Sequence, residues 1–319
     1  MPGRKKQSST VRADVKAEVS KTLREWFGYK IQTSPEAKSW YRQYSQAFRR
    51  CSSHSDIMGL INELVHHEYG PDEYLIAQLI NQWHLSRQIP KGDKIFFLRL
   101  LVNVSRTSGF RFNVVIYNNL FKAFGALQEK EMLKALYEEA KAKRIELDEI
   151  SYQCLIEAFY KLGDNARAQS IFDSYISYFE RYLEIKPEGL DFHGLNEITS
   201  YFVLDKYFKQ NPTVGKVCII LGRGSHSSSA CTDDEPSPVW LGVNRWLQDH
   251  EGVELRKTKR GRIELGVSRL LFKPKKSAGE NASKAKDGAC VSDLNPNAVA
   301  FIPCAQRSGH LVWGQGGPG

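Results

Sequence analysis

A block marked by a tyrosine occurs twice in this chain. Val115-Ile116-Tyr117-Asn118-Asn119-Leu120-Phe121-Lys122-Ala123-Phe124 is echoed by Ile150-Ser151-Tyr152-Gln153-Cys154-Leu155-Ile156-Glu157-Ala158-Phe159, with the two tyrosines thirty-five positions apart. Within each block the apolar residues fall at three- and four-residue spacings, the pattern of a helix with one buried face. A unit this short cannot bury that face alone, so a fixed period of this size implies helix pairs stacked on one another. Gly163-Asp164 interrupts the second block before Ala166, Ala168, Ile171 and Phe172 resume it, which reads as a helix-turn-helix hairpin. Tyr74 and Tyr41 stand at compatible distances upstream and predict two more degenerate hairpins. The expected helical region is 34–187, preceded by a basic N-terminal segment, 1–33.

The tyrosine, the aliphatic pair, the gap glycine and the paired alanines together resemble the pentatricopeptide repeat, with good agreement over about seventy residues. For the two upstream hairpins the tetratricopeptide repeat stands as an alternative. The pentatricopeptide resemblance implies that one residue of the first helix and one at the repeat end read an RNA base. In the first copy these are Asn118 and Asp148, a pair that in the family favours uridine. The second copy offers Gln153, with its partner position left open. The alternative for Asn118 and Asp148 is a first-turn polar residue and a helix-terminus acid with no ligand.

From Glu188 to Phe272 the pattern changes to alternating strand-like and helix-like segments. Leu190-Asp191-Phe192-His193-Gly194 opens this region; a helical stretch, Glu197 to Gln210, leads to the β-rich Lys216 to Leu221 and then to Gly222-Arg223-Gly224-Ser225-His226-Ser227. A second helix carries Val243, Trp246 and Leu247, and two strands follow about a turn at Lys259 to Gly261. The order of these elements, with their two glycine-containing signatures, resembles the small MutS-related (Smr) domain. The sequence departs from that family after Ser227, where Ser228 to Pro238 is polar and acidic. The expected fold class is therefore α plus α/β: a helical-hairpin solenoid, a small α/β Smr-type domain at 188–272, and a disordered tail.

The chemistry of these residues can be stated without the family. A glycine-rich strand-to-helix turn exposes successive main-chain N–H groups and forms an anion nest, here Gly222 and Gly224 with His226 and Ser227. Asp191 and His193, two apart, fall on one face of an extended strand. Histidine serves as a general acid or base in phosphodiester cleavage, aspartate orients it, and Arg223 stabilises charge developing on the phosphorus oxygens. The resemblance assigns the same catalytic set. The alternative is a non-catalytic platform in which Asp191 and His193 only cap the next helix.

The formal charge is +9, and most of the imbalance sits in one place: 256–276 holds nine Lys or Arg against Glu264 alone. Within it Arg256, Lys257, Lys259, Arg260 and Arg262 form a basic hairpin suited to phosphate contacts. The six cysteines contain no CxxC pair and do not combine with histidines at metal-ligand spacing. No cofactor is implied, and a divalent metal is left open. No stretch approaches the roughly 18 apolar residues that span a bilayer; the best run, Phe96 to Val104, is broken by Arg99. The basic N-terminus lacks an apolar segment behind it, so a secretory signal is not expected, and the early acids Asp14, Glu18 and Glu25 argue against a mitochondrial presequence. A cytoplasmic address is expected, with a mitochondrial one as the alternative.

Beyond Lys273 the composition turns to Ser, Ala, Gly and Lys, which reads as a disordered linker at 273–289 and a disordered tail at 308–319. Between them, at 290–307, lies Leu294-Asn295-Pro296-Asn297-Ala298-Val299-Ala300-Phe301-Ile302-Pro303. It resembles the peptide motif that docks on the helical MLLE domain of poly(A)-binding protein, matching at Leu294, Asn295, Pro296, Asn297, Ala298, Phe301 and Pro303. The resemblances together imply an RNA-binding protein on messenger RNA, with RNA and poly(A)-binding protein as partners, the ribosome as a further candidate, and no membrane. The competing reading is an adaptor that binds the same partners without cleaving RNA. A peptide covering 290–307 is expected to bind the isolated MLLE domain in calorimetric titration. Phe301→Ala should lose about 2 kcal/mol or more, the scale of a central aromatic anchor, whereas Val299→Ala should change little; equal affinity of the Phe301→Ala peptide would remove this assignment.

Overall fold

The computed structural model describes residues 4–51, 53–211, 215–221, 237–259 and 261–267, with side chains described from residue 14 onward except at 257–259. The segments expected as linker, poly(A)-binding-protein motif and tail lie outside the described residues. The chain opens with helices α1 (Arg4–Trp26), α2 (Pro35–Arg50), α3 (His54–His66), α4 (Glu73–Leu85) and α5 (Lys91–Thr107). They are followed by α6 (Val114–Ala126), α7 (Lys130–Ala142), α8 (Glu149–Lys161), α9 (Asn165–Ser174) and the short α10 (Glu180–Leu183). Then come strand β1 (Leu190–Asp191), α11 (Glu197–Gln210), β2 (Lys216–Ile220), α12 (Pro238–Asp249), β3 (Val253–Lys259) and β4 (Arg262–Val267). The described residues are thus mostly helical, with one small mixed sheet.

The helices begin where short polar side chains can cap them. Ser34, Asp72, Asn113, Asp148 and Asn196 each accept a hydrogen bond from the main-chain N–H three residues on, satisfying a donor that the first turn would otherwise leave open. The five helices so capped, α2, α4, α6, α8 and α11, pack each against the next in one row, and α3, α5, α7 and α9 fold back beside their own partners. In α4, α6, α8 and α11 the N-cap, rather than the tyrosine, marks the register: the fourth residue after it is buried. Tyr117 and Tyr152 stand four residues after Asn113 and Asp148 and are buried, but the residue at that place after Asp72 is the buried Ile76, while Tyr74 is 75% exposed. The expected hairpin is present there, and the tyrosine chosen as its marker is not equivalent.

Close approach along the row depends on small residues. A Cβ placed on Gly125 of α6 would lie 2.4 Å from Cβ and 2.8 Å from Cα of Ala158 on α8. Gly242 of α12 likewise lies against the Glu197 carbonyl of α11, where a Cβ would come within 2.1 Å. The N-terminal segment is also part of the packing: Val19, Leu23 and Trp26 of α1 are buried, and the helix rests on α3 and α5.

The sheet has the order β1-β2-β4-β3, with β1 parallel to β2 and the other pairs antiparallel. Alternation divides its faces. Leu190, Phe192, Val217, Ile219, Ile263 and Leu265 are buried on one side, in the same core as α11 and α12, where Trp246 stacks between Phe208 and His250 at centroid distances of 4.9 and 4.3 Å. The other side carries Asp191, Lys216, Cys218, Ile220, Arg262 and Glu264, none of which is buried.

Gly125→Ala is expected to destabilise the protein by about 1–3 kcal/mol, because overpacking at a fixed helix contact outweighs the roughly 1 kcal/mol gain in helix propensity. Chemical denaturation measures this. Ala158→Gly should restore part of the loss in the double variant, and strict additivity of the two changes would show that the contact is not the cause.

Candidate nucleic-acid interface

Of the residues expected to act chemically, Asp191 and His193 stand at one end of the sheet. The parallel ladder pairs Asp191 with Ile220, and Phe192 N–H extends it by donating to the Ile220 carbonyl at 3.0 Å. The chain then turns at His193-Gly194, where Gly194 has φ 95°, a conformation that glycine adopts without steric cost. Asp191 fixes this turn: its Oδ1 accepts from the His193 main-chain N–H at 3.1 Å, and its Oδ2 lies 3.8 Å from Lys186 Nζ. The aspartate therefore orients His193 through the main chain. His193 is exposed, and Asp191 is half-buried.

Ile220 and Leu221 lead directly into the glycine-rich segment. Gly222, Arg223, Gly224, His226 and Ser227 lie outside the described residues, as does Arg260. Leu221 itself donates from its N–H to the Gly261 carbonyl at 2.9 Å, so the turn between β3 and β4 is tied to the same end of the sheet as Asp191.

The basic hairpin continues along the open face. Arg262 is exposed and pairs in register with Ile220. The register of β3 and β4 shifts between Leu255 and Lys257, which marks Arg256 as the extra residue of a bulge; such irregularities re-aim a side chain. Its guanidinium lies across Gly266, where a Cβ would fall 2.0 Å from Arg256 Nε. The main chain of Lys257 and Lys259 pairs with Glu264 and Arg262. Glu264 is paired with Lys216, 3.0 Å away on β2, so the acid of the hairpin is offset by a lysine that the hairpin pattern did not include. Among the described residues no cluster of His, Cys, Asp and Glu is arranged to hold a metal ion, and no helix is long and apolar enough to cross a membrane.

In the row of helices, Asn118 and Asp148 are brought together, with Asn118 Nδ2 donating to Asp148 Oδ1 at 3.4 Å. That oxygen is already occupied in capping α8, accepting from the N–H and the hydroxyl of Ser151, each at 2.8 Å. Asn118 Oδ1 is buried and has no hydrogen-bond partner among the described residues. Gln153 is hydrogen-bonded to Asn196, the N-cap of α11. Gln153 Oε1 accepts from Asn196 N–H at 2.8 Å, Asn196 Nδ2 donates to the Gln153 carbonyl at 2.9 Å and to Glu157 Oε2 at 3.0 Å, and Gln153 Nε2 donates to the Gly194 carbonyl at 3.3 Å. The second pair is thus consumed in joining α8 to the sheet region. The Asn196-Glu197 dipeptide before an apolar-periodic run repeats the capping signal of Asp148-Glu149, and that signal would have located it. Sequence reasoning also passed over Val115 and Ile150, which occupy the second position of α6 and α8 and are 45% and 54% exposed.

No protein-family model matches this chain, and no curated protein sequence matches it.

Gln153→Ala is expected to cost about 2–3 kcal/mol, since it removes the side-chain hydrogen bonds to Asn196 N–H, the Gly194 carbonyl and Glu149 Oε1 and takes a partner from the half-buried Asn196 N–H. Asn118→Ala, which removes one long bond together with an unpartnered oxygen, should cost below about 1 kcal/mol. Urea denaturation of the two variants compares them directly, and equal losses would show that Gln153 does not hold the junction.

Proposed function

We propose that this protein binds RNA and that its sheet region is an Smr-type ribonuclease acting on messenger-RNA phosphodiesters. In this reading the row of helices is a pentatricopeptide-like solenoid that holds the strand. Poly(A)-binding protein is the recruiting partner in the cytoplasm, and the context is messenger-RNA turnover or translation quality control. The observation that carries the reading is the Asp191–Ile220 register: it sets Asp191 and His193 beside the strand that runs into Gly222-Arg223-Gly224-Ser225-His226-Ser227, at the carboxyl end of two parallel strands, where α/β sheets bind ligands.

The chemistry follows from these positions. His193, exposed and held by the Asp191 main-chain bond, takes the proton from the attacking oxygen or gives one to the leaving oxygen. Arg223 and the glycine N–H groups stabilise the charge that develops on the phosphoryl oxygens. Arg256 and Arg262 draw the phosphate backbone to the open face. Along the helices, the exposed Val115 and Ile150, beside the Asn118–Asp148 pair, give a base an apolar surface to lie against.

A cleavage assay on labelled single-stranded RNA tests the proposal. Asp191→Asn and His193→Ala are each expected to lower the rate by roughly 10²-fold or more, the scale of a general acid-base group, while RNA affinity persists. Neutralising Arg256, Lys257, Lys259, Arg260 and Arg262 together should flatten the salt dependence of binding. Equal rates in the wild type and both single variants would sink the catalytic assignment. RNA binding without cleavage in all three would assign the protein to the adaptor class.

A further inference from the structure

A cavity at the start of the helical row has the size and chemistry of a ligand site, and neither the sheet nor the Asn118 pair uses it. It runs along α2 beneath the Ile31–Thr33 connection and ends at Asp72 and Tyr74 of α4, enclosing about 600 Å³, within the range of about 300–1,000 Å³ usual for small-molecule pockets. Its wall is fixed. The buried Tyr41 hydroxyl accepts from Gln32 N–H at 3.1 Å and donates to the Gly70 carbonyl at 2.9 Å. Gly70 N–H donates to Lys30 at 3.2 Å, and a Cβ on Gly70 would fall 2.3 Å from the Tyr29 carbonyl oxygen. The connection is therefore seated against Gly70, and this preorganised wall lowers the cost of binding.

Three cations line this cavity: Lys38, Arg42 and Arg49. Arg49 donates to Gln78 Oε1 at 3.1 Å; Lys38 and Arg42 are exposed and form no ion pair among the described residues. The one carboxylate, Asp72, is committed to capping α4, accepting from Leu75 N–H at 2.7 Å. A concave surface with this excess of positive charge concentrates anions, and arginine offers phosphate a planar pair of donors. Beside it stands Tyr74, an aromatic ring 75% exposed at the mouth of the cavity, the kind of surface on which a base stacks. Phosphate oxygens and a planar ring within one small volume describe a nucleotide; an acidic peptide would use the cations without needing the ring.

We propose that this groove binds a nucleoside phosphate, with its phosphate against Lys38 and Arg42 and its base on Tyr74. The ligand is either a free nucleotide or one nucleotide of a single-stranded RNA, and the inference does not depend on whether the sheet region cleaves RNA.

The full chain is titrated calorimetrically with uridine and adenosine 5′-monophosphates, with the corresponding nucleosides and with inorganic phosphate, and by fluorescence anisotropy with a labelled oligoribonucleotide. Arg42→Gln and Tyr74→Ala alter exposed side chains, and circular dichroism with thermal melting confirms that both variants fold. If the source is a free nucleotide, the monophosphates saturate the protein, nucleoside and phosphate alone bind more weakly, and each variant weakens monophosphate binding at least tenfold. If the source is the RNA strand, the monophosphates do not saturate and each variant weakens oligoribonucleotide binding at least tenfold. Unchanged affinity for both probes in both variants, or no binding of either probe by the wild type, overturns the proposal. So does displacement of the probes by a poly-glutamate peptide whose own affinity is unaffected by Tyr74→Ala, which would assign the groove to acidic peptides.

Discussion

The hydrogen-bonded clasp between Gln153 and Asn196 is the interaction on which the arrangement of this molecule turns. Gln153 lies on the last of the repeated helices and Asn196 caps the first helix of the sheet region; each side-chain amide bonds a main-chain group of the other residue, and Gln153 Nε2 also donates to the Gly194 carbonyl. Because Gly194 closes the turn that carries His193, the same bonds that seat α11 against α8 also set the position of the histidine. Buried amides of this kind have stringent geometry, since each unpaired donor or acceptor carries a desolvation cost. The helical row and the sheet are consequently joined through a contact that tolerates little sliding, and α11 serves both as the next member of the row and as a layer over the sheet.

The sheet expresses a second constraint, the period of two. Its apolar alternation buries one face and leaves the other to Lys216, Arg262, Glu264 and Asp191, with the bulge at Arg256 turning a further guanidinium over Gly266. Lys216 and Glu264 neutralise each other at 3.0 Å, so the positive character of the open face rests on the arginines. At the far end of the row the same division recurs in helical form: α2 turns its apolar side to the core and Lys38, Arg42 and Arg49 to the cavity beneath the Ile31–Thr33 connection. Burial is elsewhere discriminating in its electrostatics. Burial alone would raise the Asp205 pKa, but hydrogen bonds from His250 and Lys209 outweigh it and hold that carboxyl below its ordinary value. The stabilisation from this group is therefore present above the unfolded carboxylate pKa of about 3.9 and lost as pH falls through the depressed folded value.

Much of the secondary structure was legible because it rests on local chemistry. The helix at Glu197 to Gln210, the strand from Lys216, the break at Gly163-Asp164 and the final hairpin all lie where periodicity and turn residues put them. The pairing of Asn118 with Asp148 was also expected, as what the pentatricopeptide resemblance implies. What it does was not: the spacing cannot show that Asp148 Oδ1 is taken by Ser151, or that Asn118 keeps a buried oxygen without a partner. Tyr74 illustrates the opposite error. Its distance from Tyr117 suggested an equivalent core position, yet helix register is counted from the cap, and two residues of displacement turn a side chain by about 200° at 3.6 residues per turn, from the core to the solvent.

By itself the sequence determined the elements and their faces: where helices start, which residues are apolar at the helical or strand period, and where basic residues concentrate. These are properties of neighbouring residues and need no knowledge of the rest of the chain. Only the tertiary structure decided that Gln153 meets Asn196, that Arg256 lies over Gly266, that β1 runs parallel to β2 with Asp191 beside Ile220, and that Lys38, Arg42 and Tyr74 share one cavity. Each of those juxtapositions joins residues on different elements, and their distances are set by how side chains of particular volume fill the space between elements, a collective property that no local spacing contains.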